Sequence, residues 1–281
     1  MTTKVEIKNF KSIKHIVLED CKRVNLLIGK PNVGKSNILE ALTAFSLPYT
    51  RYTKDKSLQR FMRCENETEL FFNGDIKKDI SIQTDVDEFV FRWDEASTIS
   101  RLSGFLNERP VVELTGLKVK QANGDASLRL NMDVKGYFFS TPFQFENTGV
   151  KFLQPTTGCN LSFVLNSLPN TKKEISDILA LYGLKLSFDQ ASQQIKLLKH
   201  LSDDSIYLVP FNSMADTLQR IMFYKTAIAS NEKSIIIFEE PEAHSYPPYI
   251  SKITTDIMYS ETNQFFITTH SPYVLNDFME N

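Results

Sequence analysis

The stretch "LLIGKPNVGKSNILEAL", Leu26 to Leu42, passes from an apolar run through a glycine-bearing loop into residues at helical spacing. Its centre, "GKPNVGKS", fits GxxxxGK[ST] in full, and the strand before it and helix after it are the context that pattern requires. In such a loop successive backbone N–H groups wrap phosphate oxygens, helped by the positive end of the following helix. Gly29 and Gly34 let the backbone close in where a Cβ would collide. Lys30, Pro31, Asn32, Val33 and Asn37 complete the predicted phosphate-binding segment. Lys35 is expected to neutralise the β- and γ-phosphates of a nucleotide, and the Ser36 hydroxyl to ligate Mg²⁺.

Working outward, "KVEIKNF" and "KHIVLED" alternate as two short strands around a turn, and "RVNLLIG" has the continuous apolar character of a central, doubly covered strand. The helix predicted from Lys35 places Ile38, Leu39, Leu42 and Phe45 on one face. The middle of the chain changes character. "DISIQTD", "EFVFRWD", "PVVELTGLKVK", "ASLRLNMDV" and "GYFF" form short alternating runs expected to build antiparallel β-structure. A helix over "KEISDILALYG" follows. After Pro210 an α/β pattern returns, with a helix in "MADTLQRIMFYKTAIAS", the strand "SIIIFE", a helix after Pro248 and the strand "QFFITT". The expected layout is a nucleotide core split between residues 1–60 and 210–281, around an inserted β-rich and helical segment at 61–209. The expected class is α/β, a mostly parallel sheet flanked by helices with an antiparallel subdomain and a helical insertion.

In "IIIFEEPEAHS", Ile235 to Ser245, a buried-looking strand runs into two carboxylates. Ligands of parallel α/β sheets bind outside the carboxyl ends of the strands. Glu239 is therefore expected to hold the hydration shell of Mg²⁺, and Glu240 to orient or deprotonate an attacking water. A second apolar strand, "QFFITT", ends just before His270, which is placed to report a γ-phosphate.

The 281 residues carry a formal net charge of −2, so no global basic charge marks a nucleic-acid or acidic-membrane binder. Cys21, Cys64 and Cys159 fall in no metal-ligand or CxxC spacing and read as reduced thiols, which favours the cytoplasm. The N-terminal residues lack the apolar core of a secretory signal, and no run approaches the length of a membrane span. Neither export nor a membrane partner is expected.

Taken together, "NFKSI", "LLIGKPNVGKSNILEAL", "IIIFEEPEAHSYP" and "FFITTHSPYVL" resemble the ABC-type ATPases of the overcoming-lysogenisation-defect (OLD) class, akin to RecF and SMC heads and of the kind found in bacterial anti-phage defence. The resemblance implies a P-loop NTPase fold of ABC-head type. It also implies a homodimer with ATP at the interface, each nucleotide held by the phosphate loop of one subunit and a signature segment of the other. On the same basis Glu240 is the catalytic carboxylate, His270 the switch histidine and Glu239 the support of Mg²⁺, while Asn9 and Lys11 lie near the nucleotide.

The signature departs from the family pattern, because "NSMADTLQR" has Ser213 but no glycine. Ser213 either faces the partner's ATP or is an ordinary helix N-cap, with Asp216 in a capping-box-like place. Gln59 and Gln83 are the candidates for a glutamine loop. The intervening stretch lacks the heptads of an SMC coiled coil. OLD nucleases carry a further C-terminal nuclease domain, so an effector is expected either beyond Asn281 or on a separate chain.

The functional expectation is Mg²⁺-dependent ATP hydrolysis to ADP and phosphate that gates a partner, a nuclease or toxin. The alternatives are a RecF-like or SMC-like DNA-binding ATPase and a nucleotide-binding regulator with little turnover.

Overall fold

Alternating apolar residues at the N-terminus and continuous apolar runs near the C-terminus give two kinds of sheet. The computed structural model describes residues 1–30, 33–94, 101–121, 133–141, 144–202 and 205–280. In chain order the strands and helices are β1 (Val5–Phe10), β2 (Ile13–Leu18), β3 (Val24–Leu27), α1 (Lys35–Leu42), β4 (Ile80–Thr84), β5 (Glu88–Asp94), β6 (Arg101–Leu106), β7 (Arg109–Thr115), β8 (Lys118–Gln121), β9 (Asp133–Tyr137), α2 (Leu161–Asn166), α3 (Pro169–Ala180), β10 (Leu184–Asp189), β11 (Gln194–Ser202), β12 (Ser205–Pro210), α4 (Asp216–Ala229), β13 (Ser234–Glu239), α5 (Pro247–Tyr259), β14 (Gln264–Thr268) and α6 (Pro272–Glu280). They fall into two compact units. The first comprises Met1–Tyr137, Lys233–Glu240 and Thr262–His270; the second comprises Phe138–Glu232, Pro241–Glu261 and Ser271–Asn281.

The first unit holds a four-stranded sheet in the order β3-β14-β13-β9, parallel at every pairing. Its inner strands are apolar throughout: Ile235 to Phe238 and Phe265 to Ile267 have no exposed surface. The same unit holds a larger, seven-stranded antiparallel sheet, order β2-β1-β4-β5-β6-β7-β8. The parallel core sheet is small, and the antiparallel strands of the middle region are not a separate insertion but extend the N-terminal hairpin through the β1–β4 pairing, which corrects the expected division of the chain. Helix α1 packs against β13 and β14 of the parallel sheet and against β1 of the antiparallel one. Leu39 and Leu42 on α1 are fully buried.

Two strands sit elsewhere than their sequences suggest. β3 pairs only with β14 among the described residues and is half-buried, an edge rather than a central strand. An apolar run reports burial but not which neighbour is missing. β9, expected among the antiparallel runs, lies parallel to β13, with Val134 to Tyr137 buried. Burial on consecutive residues is the mark of a strand covered on both faces. Most of "ASLRLNMDV" lies outside the described residues.

In the second unit β10, β11 and β12 form a three-stranded antiparallel sheet. Lys225 of α4, only 5% exposed, pairs with Glu174 of α3 at 2.8 Å and Asp256 of α5 at 2.6 Å, joining three helices through one ammonium. Among the described residues no helix is long and apolar enough to cross a membrane.

Gly104 on β6 sits at a register shift against β7, and a Cβ there would lie 2.6 Å from Val112 Cγ2 and 3.0 Å from the Phe89 ring. Both neighbours are fully buried, so neither can yield without disturbing the core. Gly104→Ala should therefore lower unfolding free energy by about 1–3 kcal/mol, read from the midpoint of urea denaturation.

Candidate functional site

The N-terminus of α1 is entered through Gly34. Gly34 adopts φ 93°, a conformation that disfavours any side chain, and a Cβ on it would approach Ser12 Oγ to 3.2 Å. α1 begins at Lys35 with no side-chain cap, so its first-turn N–H groups point into the loop. Lys35 Nζ donates to the loop's own carbonyls, Gly29 O at 2.8 Å and Lys30 O at 2.6 Å. Asn37 Nδ2 donates to Ser12 Oγ at 2.7 Å, which ties the helix start to the β1–β2 turn.

β13 ends at Glu239, and the next residue reverses the backbone. Glu240 has φ 42°, unusual for a residue with a side chain, and its N–H donates to Thr268 O at 3.0 Å. Strain of this kind concentrates at functional sites. His270, just past β14, brings Nε2 to 3.4 Å from Glu240 Oε1.

These pieces face one cavity of about 440 Å³, lined by Lys11, Ser12, Gly34, Lys35, Ser36, Asn37, Glu40, Arg63, Glu240 and His270. That volume lies in the range of small-molecule sites. Cations, hydroxyls and an uncapped helix start on one wall suit phosphate oxygens. Ser36 and the Glu240 carboxylate within the cavity suit Mg²⁺, which takes few protein oxygens and shares the rest with water and phosphate.

The cavity thus unites seven of the residues predicted from sequence: Lys11, Gly34, Lys35, Ser36, Asn37, Glu240 and, from the second strand end, His270. Gly29, Lys30 and Val33 belong to the adjoining loop, while Pro31 and Asn32 lie outside the described residues. Glu239 is not part of the lining; its carboxylate accepts from Arg63 Nη2 at 2.7 Å. Asn9 points elsewhere, its amide donating to Lys78 O at 2.6 Å. Gln59 donates to Cys64 O at 3.0 Å and Gln83 lies within β4, so neither lines the cavity.

Ser213 belongs to the second unit. It ends a 3-10 turn, Phe211–Ser213, and α4 begins later, at Asp216, with Ala215 as N-cap and no side-chain cap bond. The N-cap reading of Ser213 is therefore corrected. Asp216 does not close a capping box either: its carboxylate accepts from Arg220 Nε at 2.7 Å, one turn along the helix.

Sequence reasoning missed Ser12, Glu40 and Arg63. Glu40 is only 4% exposed and bonds to Lys11 and to Arg63 Nε, the latter at 2.6 Å. Its signal was a lone carboxylate inside an otherwise apolar helical stretch, which demands a buried cation. Burial opposes the Arg63 charge, but the hydrogen bond to Glu40 and the charges of Glu239 and Glu40 outweigh it and hold its pKa above the ordinary value.

The left-handed backbone at Glu240 makes a prediction independent of chemistry. Glu240→Gly should be more stable than Glu240→Ala by about 1–2 kcal/mol, because only alanine keeps the Cβ that the conformation disfavours. Paired denaturation curves of the two variants measure it.

Residues 66–276 match the family described as "AAA domain, putative AbiEii toxin, Type IV TA system". An ATP/GTP phosphatase of Helicobacter pylori is 33% identical over 93 residues, covering 31% of this chain and 25% of that protein. The DNA replication and repair protein RecF of Clostridioides difficile is 36% identical over 75 residues, 26% of this chain and 19% of that protein. The matched part thus spans a quarter or less of either relative. In fold, the chain resembles an SMC head bound to the C-terminal winged-helix domain of ScpA, with TM-score 0.52, 14% identity and coverage of 98% of this chain and 91% of that one. A second SMC head, with an extended coiled coil and bound to the C-terminal domain of ScpA derived from Pyrococcus furiosus, gives TM-score 0.51 at 13% identity, with 98% and 91% coverage. The chain belongs to the AAA-domain family so described.

Proposed function

We propose that the chain binds ATP in this cavity and hydrolyses it to ADP and phosphate. The observation that carries the reading is the convergence of Lys35 and Ser36 with Glu240 and His270, groups from distant parts of the sequence, on one cavity. Lys35 rests on its own loop carbonyls through a flexible stem, which leaves it free to turn onto the β- and γ-phosphates. Glu240 orients and deprotonates the attacking water. His270, beside Glu240, donates to the terminal phosphate and reports its presence. Mg²⁺, when bound, polarises the terminal phosphoryl group and neutralises developing charge. Ser36 Oγ and Glu239 are the groups that would hold it and its water.

Two copies close around nucleotide, with the segment of Ser213 and the start of α4 presented to the partner's phosphates. The closure gates a separate effector, a toxin or nuclease, in an anti-phage system of the OLD kind within the cytoplasm. Support comes from the family description, which names a putative toxin and a toxin–antitoxin system, and from SMC heads, which are seen bound to part of another protein.

The similarity to RecF favours one other reading, a head that clamps duplex DNA. A net charge of −2 weighs against an extensive phosphate-binding surface. An ATP-dependent DNA mobility shift that weakens with salt separates that reading from partner gating.

Purified protein should hydrolyse ATP, and Lys35→Ala should abolish both binding and turnover; turnover persisting in this variant removes the proposed site. Glu240→Gln should still bind ATP while turnover falls about 10²- to 10⁴-fold. In the same variant, light scattering should find a nucleotide-dependent dimer.

A further inference from the structure

Glu239, to which the functional reading assigns the cation's water shell, already has a cation on it. Arg63 Nη2 donates to Glu239 Oε1 at 2.7 Å, and Arg63 Nε donates to Glu40 Oε1 at 2.6 Å. The backbone of the same residue is also fixed. Arg63 N donates to Glu40 Oε2 at 3.2 Å, and Arg63 O accepts from Lys11 Nζ at 2.6 Å. The two anchors differ in burial: the Glu40 side chain is 4% exposed and the Glu239 side chain 23%. The Arg63 side chain itself is 64% exposed and lines the cavity.

A guanidinium presents five donors in a rigid plane, so one edge can stay on Glu40 while the other changes partner. The Glu40 contact is the costly one to break, since its carboxylate is cut off from water. The Glu239 contact is solvent-accessible and weak, in the range of exposed ion pairs. A guanidinium on Glu239 cancels the charge that a divalent cation's water shell requires.

We propose that Arg63 is a positioning residue that competes for Glu239 and so sets the protein's divalent-cation affinity, with Glu40 as its fixed pivot. Cation loading displaces the guanidinium from Glu239 but not from Glu40. The device rests on the ATP-site reading above, and it makes the Mg²⁺ requirement a property of Arg63 as well as of the metal-facing groups.

The test titrates Mg²⁺ against the full chain at fixed, sub-saturating fluorescent ATP analogue and reads equilibrium binding rather than turnover. Arg63→Gln should lower half-saturating Mg²⁺ about three- to fivefold, the scale of a half-exposed ion pair. The same substitution in a Glu239→Gln background should change nothing, a result that a merely structural role for Arg63 would not produce. Arg63→Met, which keeps the apolar stem, serves if the Gln variant unfolds, and circular dichroism checks every variant. A half-saturation unchanged or raised in Arg63→Gln, or lowered equally in the Glu239→Gln background, overturns the inference while leaving the ATP site intact. If Glu239→Gln alone leaves half-saturation at the wild-type value, or if wild-type binding ignores Mg²⁺, the metal assignment fails and the inference falls with it.

Discussion

The ion pairs on Glu40 are the constraint around which the site is arranged. A carboxylate with 4% of its surface exposed, on a helix wedged between two sheets, holds its charge only if cations reach it. Lys11 arrives from the β1–β2 turn and Arg63 from the segment before β4. Each brings its backbone with it: Lys11 N donates to Leu70 O at 2.8 Å, and Arg63 N donates to Glu40. Once these two segments are pinned to α1, part of the cavity lining is set. Another part follows from the strands, because β13 and β14 lie parallel and in register, with Glu239 opposite Thr268. Their carboxyl ends therefore deliver Glu240 and His270 to the same level.

What was legible in the sequence was what a local pattern encodes. The phosphate loop announces itself through fixed spacing and flanks, and the strand ends at Glu239 and before His270 through an abrupt change from apolar to polar. The N-terminal hairpin and the hairpin of β4 and β5 follow from alternation. Arg63 was invisible because nothing in "RFMRC" separates it from Arg60, which pairs at the surface with Asp55 at 2.7 Å. Only the fold decides which arginine meets Glu40.

The other differences have the same origin. β3 and β13 are both apolar runs, yet one is an edge and the other internal, a distinction set by which strands come home beside them. β9 reads as one more short strand of the middle region but crosses to the parallel sheet, where Lys135 is buried and donates to Ser234 Oγ at 3.1 Å. Helix α4 starts later than a serine-capped reading places it, because Phe211–Ser213 is occupied by a tighter turn. Propensity marked the helix, and the preceding turn chose its first residue.

The placement of β3 has a consequence for how the protein is made. Among the described residues its strand partner is β14, which is translated some 240 positions later, as the pairing of Asn25 with Phe266 shows. Contacts of such separation form slowly and only after the intervening chain exists. During synthesis the phosphate loop therefore emerges early but stays unanchored on one side, and its supporting strand is locked in place among the last events of folding. The cavity is therefore complete only when the carboxyl-terminal strands, with Glu240 and His270 at their ends, have arrived.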